Sequence, residues 1–233
     1  MTDKHFSSQF DNELQVVSAQ LTELGRQVDD QVCQSIEALT RFDAEGARRV
    51  LDAEAAVNAL EADIDQEITT IIARRQPAAR DLRLLMAMSK ASGCLERVGN
   101  EADKMSHKVL KLILIAAKHS APQYQLGELT RLTTGLMRAA LDAFARQDLA
   151  AALEVMKEDQ PVFQEIDQLI HRLVNNMIEV PHTISFCVEL IALAKSHELI
   201  VDHAKHIAEL VVYVVQGTDV HHAPAEQIES LIA

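Results

Sequence analysis

Carboxylate side chains are the residues of this chain whose spacing could support chemistry. One polar series occupies positions i, i+4, i+7 and i+11, which lie along a single face of a helix: Glu96, Asn100, Asp103 and His107. Carboxylates that converge on one face repel one another unless they are protonated, paired with a cationic side chain or bridged by a cation. The chemistry that such a face could perform is therefore the binding of a divalent metal ion or of iron through oxygen ligands.

Related series occur in two other stretches of the chain: Glu54, Asn58, Glu61 and Asp65, and Glu198, Asp202, Lys205 and Glu209. A solvated acidic helix face is the simpler interpretation, since exposed helix faces are ordinarily charged. If metal binds, we expect weak sites, resting mainly on Glu198 and Asp202 one helical turn apart and assisted by Asp159. In the first half of the chain, Glu54 and Glu96 can contribute.

Composition indicates that helices position these side chains. Of the 233 residues, 48% are hydrophobic but only 3% are aromatic, and the chain contains no Trp and seven Gly. This balance disfavours β-sheet and suits helices. Apolar residues spaced three or four apart predict six helices, over residues 8–41, 44–75, 79–117, 126–146, 148–177 and 183–216, with at most a short terminal helix at 225–232. We therefore expect an all-α fold.

The two halves of the chain repeat the same plan. Helix starts and chain breaks recur at corresponding places: Asp43 and Asp148, and Pro77 and Pro181. Internal repetition of this length predicts two tandem antiparallel three-helix bundles related by duplication. The predicted bundles comprise residues 1–120 and residues 121–233, the second with a short C-terminal tail.

The net charge of −13 argues against nucleic acid as a partner, because phosphate contacts require a basic surface. Sequence motifs for nucleotide loops, zinc proteases and serine hydrolases are absent, so we expect no catalytic residues and no enzyme activity. Cys33, Cys94 and Cys187 stand among apolar neighbours and indicate buried, reduced thiols. With no secretory or membrane-spanning pattern, a cytoplasmic location is expected.

Two further groups of side chains allow a structural or a functional interpretation. Arg74, Arg75, Arg80 and Arg83 flank a predicted helix break. Favourable interaction with the carboxyl end of a helix explains several of them, and contact with an anion or a partner protein is the alternative. His203 and His206 are interpreted as structural residues rather than ligands, because isolated histidine pairs seldom bind metal without further ligands.

Specific motifs resemble the PhoU family of bacterial phosphate-uptake regulators over nearly the whole length. The most telling segments are Leu-Glu-Arg-Val-Gly-Asn-Glu-Ala at 95–102, Arg-Arg-Gln-Pro-x-Ala-x-Asp-Leu-Arg at 74–83 and Asp-His-Ala-Lys-His-Ile-Ala-Glu at 202–209. The resemblance implies paired three-helix bundles in a cytoplasmic, commonly homodimeric protein without enzyme activity. It also implies negative regulation that links the ATPase subunit of a phosphate ABC transporter to a membrane histidine kinase. Phosphate-starvation genes would then be repressed when phosphate is plentiful, with membrane association only through partners.

The chain departs from the family pattern at the Glu/Asp-x-x-x-Asp motifs, which bind metal ions or iron clusters in some members. Only Glu198-x-x-x-Asp202 is intact, and the corresponding motifs end in Asn58, Asn100 and Phe163. These changes argue against multinuclear metal binding. The Arg-Ile-Gly of the usual second motif copy is replaced by Leu199-Ile200-Val201, which suggests a divergent paralogue. Two alternatives remain open: a carboxylate-rich metal-binding or metal-storage bundle, and a scaffold that acts through other partners.

Overall fold

The computed structural model describes residues 8–117, 126–221 and 223. Within these ranges the chain forms seven α-helices and no β-strand, which confirms the predicted all-α class. The helices are α1 Ser8–Arg41, α2 Ala44–Arg75, α3 Ala79–Ala116, α4 Gly127–Arg146, α5 Leu149–Lys157, α6 Gln160–Glu179 and α7 Ile184–Gln216. A 3-10 turn at Pro181–Thr183 precedes α7. The predicted boundary between the two bundles, at residues 120 and 121, and the predicted short helix at 225–232 lie outside the described residues.

Side-chain caps explain why α2 and α5 begin where they do. Asp43 accepts hydrogen bonds from the backbone N–H groups of Glu45 and Gly46, at 3.1 and 2.9 Å. Asp148 accepts one from the N–H of Ala151 at 3.1 Å. Each bond satisfies a donor that the first turn of a helix leaves without an intrahelical partner. The two predicted repeat points are therefore both helix starts.

The prediction of one continuous helix over residues 148–177 was wrong. Instead, α5 ends at Lys157 and α6 begins at Gln160, with Pro161 in its first turn. Pro161 has no N–H to donate to the carbonyl of Lys157, and its ring would clash with that carbonyl inside a helix. In the first turn of a new helix the missing donor carries no penalty. The apolar spacing continues across the break, which is why periodicity alone does not reveal it.

Helices α1, α2 and α3 pack together, α4, α5 and α6 pack around α7, and the most extensive contact between helices joins α3 to α7. One continuous hydrophobic core runs through both halves. The apolar face of α3 lies in this core, with every member at most 1% exposed: Leu95, Val98, Ala102, Met105 and Val109. Among the described residues, no helix is both long and apolar enough to cross a membrane.

Gly99 permits close packing of α3 against its two neighbours. A Cβ atom at this position would lie 3.1 Å from Cγ1 of Val57 on α2 and 3.5 Å from Oε1 of Gln31 on α1. A larger side chain would push the helices apart, since core atoms are already in contact. The glycine therefore has a packing role immediately beside the carboxylate series.

Candidate functional site

The carboxylate series of α2 and α3 face one another, and we call the resulting group the first carboxylate cluster: Glu54, Asn58, Glu61, Glu96, Asn100 and Asp103. Asn100 Nδ2 donates to Oε1 of Glu96 at 2.7 Å. Ser89 Oγ on α3 donates to Oδ1 of Asp65 on α2, also at 2.7 Å. The two helices are joined by a short turn and so run side by side, which brings residues far apart in the sequence onto one surface.

Glu54 lies in an environment that disfavours its ionised form. Burial, the negative charge of Asp103 and a hydrogen bond with that residue raise the pKa of Glu54, and the charge of Glu96 adds to the effect. A hydrogen bond from Asn58 acts in the opposite direction. Burial, followed by the charges of neighbouring carboxylates, also raises the pKa of Glu61. The cluster thus holds several carboxylates together at a cost that a bound cation would relieve.

The second carboxylate cluster consists of Asp159, Glu198 and Asp202, together with Lys205. Lys205 Nζ donates to Oδ2 of Asp159 at 2.6 Å, and Lys195 forms an ion pair with Glu198. Burial and then the charge of Glu198 raise the pKa of Asp202, while Lys205 lowers it.

The three predicted ligands of the second cluster are therefore close together, but two of them already pair with lysines. Asp159 does not lie within a helix as expected, because the break before Pro161 places it at the start of α6. Nearby Phe163 is partly buried against the core, and its side chain has no oxygen or nitrogen atom to bind a cation. We therefore expect a cation to bind more tightly at the first carboxylate cluster than at the second. The number of charged ligands in the sequence had predicted the opposite order of affinity.

The four predicted contact arginines surround the α2–α3 turn but differ in their surroundings. Arg75 donates twice to the carboxylate of Glu13 on α1, at 2.9 and 2.7 Å. The Arg83 guanidinium packs against Gly217 at the end of α7, which links the two halves. Arg74 and Arg80 are exposed, although Arg80 also donates to the side chain of Gln147. Arg74 and Arg80 are thus the members best placed for contact with a partner.

Asp103 is a cluster residue that was not among the predicted metal ligands. Its carboxylate interacts directly with Glu54 and lies 3.7 Å from Nε2 of His107. The available signal was its position in the same helical series as Glu96, seven residues further on. Choosing between members of such a series requires the neighbouring helix, because that helix decides which carboxylates face each other.

Glu54→Gln is expected to stabilise the chain at pH 7, because it removes a charge held beside Asp103 and Glu96. The raised pKa of Glu54 means that the ionised side chain is less favourable in the folded chain than in the unfolded chain. Urea unfolding of the variant and the parent protein measures the difference. Asp63→Asn, at an exposed position of the same helix, is the control. A variant less stable than the parent would contradict the assigned repulsion.

Both halves of the chain are similar to known proteins. The family profile described as PhoU domain matches residues 21–120 and 126–211. A Burkholderia protein named phosphate-specific transport system accessory protein PhoU homolog is 42% identical, covering 98% of this chain and 97% of its own length. The Escherichia coli protein named phosphate-specific transport system accessory protein PhoU is 35% identical, covering 99% of this chain and 95% of its own length.

Solved structures give the same result for the fold. The crystal structure of PhoU from Pseudomonas aeruginosa matches with a TM-score of 0.83 and 37% identity, covering 90% of this chain and all (100%) of that one. The phosphate transport system regulatory protein PhoU from Streptococcus pneumoniae matches with a TM-score of 0.81, 91% coverage of this chain and 99% of that one, and 22% identity, a likeness of fold. The arrangement of helices, the two profile matches and the relatives of nearly equal length agree, and the chain belongs to the PhoU domain family.

Proposed function

We propose that this chain is an accessory protein of a phosphate-specific transport system and represses phosphate-starvation genes when phosphate is plentiful. The observation that carries the proposal is the family match across both halves, with relatives of that name aligned over 97% and 95% of their lengths. The proposed mode of action is protein binding, without enzyme activity. The proposed partners are the ATPase subunit of the transporter and a membrane histidine kinase, reached from the cytoplasm by a homodimer of this chain.

The α2–α3 turn is the surface that we propose for partner contact. Arg74 and Arg80 are exposed there, and on the first two turns of α3 the apolar side chains of Leu82 and Met86 are 37% and 40% exposed. Arginine and methionine are enriched in protein interfaces, where apolar contacts supply most of the affinity and charged groups supply specificity. An acidic surface of the partner is the expected complement to the two arginines.

Deletion of the gene in its host tests the function. Alkaline phosphatase activity in high phosphate should rise in the deletion strain and return to the repressed level when the intact chain is supplied. Repression that is unchanged by the deletion would disprove the proposed regulatory role.

The proposed surface is tested by complementing the same strain with Arg74→Glu/Arg80→Glu, which should restore much less repression. Arg48→Glu/Arg131→Glu, at exposed positions of α2 and α4, is the charge-matched control. Affinity capture with the parent chain should recover the transporter ATPase and the kinase, and the double variant should recover less. Equal repression by both variants would place the contact elsewhere, and recovery of neither partner would favour a scaffold with other partners.

Weak cation binding is a second candidate function, favoured by the raised pKa values of Glu54, Glu61 and Asp202. The metal-free parent protein would be titrated with Mg²⁺, Mn²⁺ and iron. The same titrations would then be repeated on two double variants, Glu54→Gln/Glu96→Gln and Glu198→Gln/Asp202→Asn. Weak binding should be lost mainly in the first pair. Tight binding of several metal equivalents in both double variants would exclude these clusters as the site. Many metal equivalents bound to the native protein would instead indicate metal storage.

A further inference from the structure

Three potential metal ligands meet beside the second half of α7. His206 and Glu209 lie one turn apart on that helix, and His221 lies in the segment that follows it. Nδ1 of His221 is 2.7 Å from Oε2 of Glu209, and Nδ1 of His206 is 4.0 Å from the same oxygen. One ligand atom from each residue lies within 4.8 Å of the others. The two imidazole rings are tilted against each other with their centroids 4.3 Å apart.

The segment after α7 is folded back against the helix, which holds His221 near the other two residues. Gly217 ends α7 with a φ of 80°, a backbone conformation that glycine adopts without strain. Val220 is 1% exposed and packs against Val212 of α7. The carboxylate of Asp219 accepts the backbone N–H of His221 at 3.0 Å. Apolar packing and a local hydrogen bond therefore organise this ligand before any ion arrives.

We propose that His206, Glu209 and His221 bind one divalent first-row transition metal ion, with Zn²⁺ as the probe. Two imidazole nitrogens and one carboxylate oxygen are a donor set found in zinc sites that keep an open fourth position. Imidazole suits zinc and its neighbours in the periodic table better than it suits magnesium or calcium. The site therefore differs in ligand chemistry from both carboxylate clusters, which offer oxygen ligands alone.

A hydrogen bond between Glu209 and His221 explains only part of the geometry. It leaves Nδ1 of His206 at 4.0 Å from the shared carboxylate oxygen, which is beyond hydrogen-bond distance. Tetrahedral Zn²⁺ with bonds near 2.0–2.1 Å would place its ligand atoms about 3.3 Å apart. The present separations reach at most 4.8 Å, so small side-chain rotations bring all three atoms to one ion.

The surrounding groups are compatible with a cation. Lys90 of α3 is 3.9 Å from the carboxylate of Asp219 and lies over the ring of Tyr213, so its ammonium group has partners of its own beside the three ligands. Lys205 is paired with Asp159.

A metal ion here would connect the segment after α7 to the helix itself. The sequence around His203 and His206 does not reveal this metal site, because the third ligand comes from beyond the end of the helix. Only the reversal at Gly217 brings His221 back to Glu209. The expected consequence is that Zn²⁺ raises the thermal stability of the chain, because an ion that binds only the folded state stabilises it.

Metal titration of the full-length, untagged, chelator-treated chain tests the proposal. Zn²⁺ would be added against a competing chelating dye, and Co²⁺ would report ligand geometry through its visible absorption. The parent chain should bind one equivalent of each. His206→Gln, Glu209→Gln and His221→Gln should each weaken Zn²⁺ binding at least about tenfold and reduce the Co²⁺ absorption, because each removes a direct ligand where even supporting residues contribute tenfold or more.

Two matched controls separate this site from binding by other histidines. His171→Gln changes an exposed histidine on α6, and His222→Gln changes the residue next to His221. Both variants should bind like the parent chain. Unchanged binding in the His221→Gln variant, which alters an exposed side chain and should fold normally, would overturn the proposal. So would loss of binding in either control, or the absence of any saturable first equivalent in the parent chain.

Discussion

His197→Leu is expected to abolish the loss of stability that His197 causes in the parent chain as the pH falls from 6.5 to 4. His197 is 0% exposed on α7, and neither ring nitrogen has a hydrogen-bond partner among the described residues. Burial lowers its pKa from 6.5 to about 4. Between these values the unfolded chain binds a proton that the folded chain does not, so stability falls as the pH falls. The full effect is about 3 kcal/mol.

Urea unfolding at several pH values between 7 and 4 measures this effect as the difference between the parent chain and the variant. The difference is needed because Glu54 and Asp202 have raised pKa values and therefore act in the opposite direction, gaining stability as the pH falls. At pH 7 the variant should be at least as stable as the parent, because leucine replaces two buried nitrogens that lack partners. Parallel stability curves for the two proteins would contradict the assignment. His171→Leu, at an exposed position, should leave the curve unchanged.

Leu95→Ala is expected to destabilise the chain by about 2–5 kcal/mol, because it removes a fully buried side chain and leaves a cavity. Leu95 is 0% exposed on α3, the helix that contacts α1, α2 and α7. The same substitution at Leu114, which is 65% exposed near the end of α3, should change stability by no more than about 0.5 kcal/mol. Chemical denaturation of the two variants compares one chemical change at two depths. Similar losses at both positions would show that the assigned faces of α3 are wrong.

Residues 95–100 of α3 contribute both to core packing and to the first carboxylate cluster. Leu95 and Gly99 face the core and set the distance between helices, whereas Glu96 and Asn100 point toward the carboxylates of α2. A substitution at Leu95 that shifts α3 would therefore also disturb the first carboxylate cluster. Glu54→Gln changes the charge of that cluster without removing core volume, so the two variants separate packing from electrostatics.

The sequence by itself determined the features that depend on neighbouring residues. The bounds of α1 and α2, the caps at Asp43 and Asp148 and the apolar face around Leu95 follow from helical periodicity and local hydrogen bonding. These interactions are formed within a few turns of one helix, so the order of residue types is sufficient to reveal them. The break before Pro161 was also visible in principle, but continuous apolar spacing favoured a single helix.

Only the tertiary structure decided which charged and titratable groups meet. It brought Glu54 to Asp103, Asp159 to Lys205 and Arg75 to Glu13, and it folded His221 back beside Glu209. It also buried His197 without a partner among the described residues, while nearby Glu198 stayed on the surface with Lys195. Each of these outcomes depends on the register and rotation of one helix against another. Those quantities arise from packing of the whole core, which local sequence patterns do not specify.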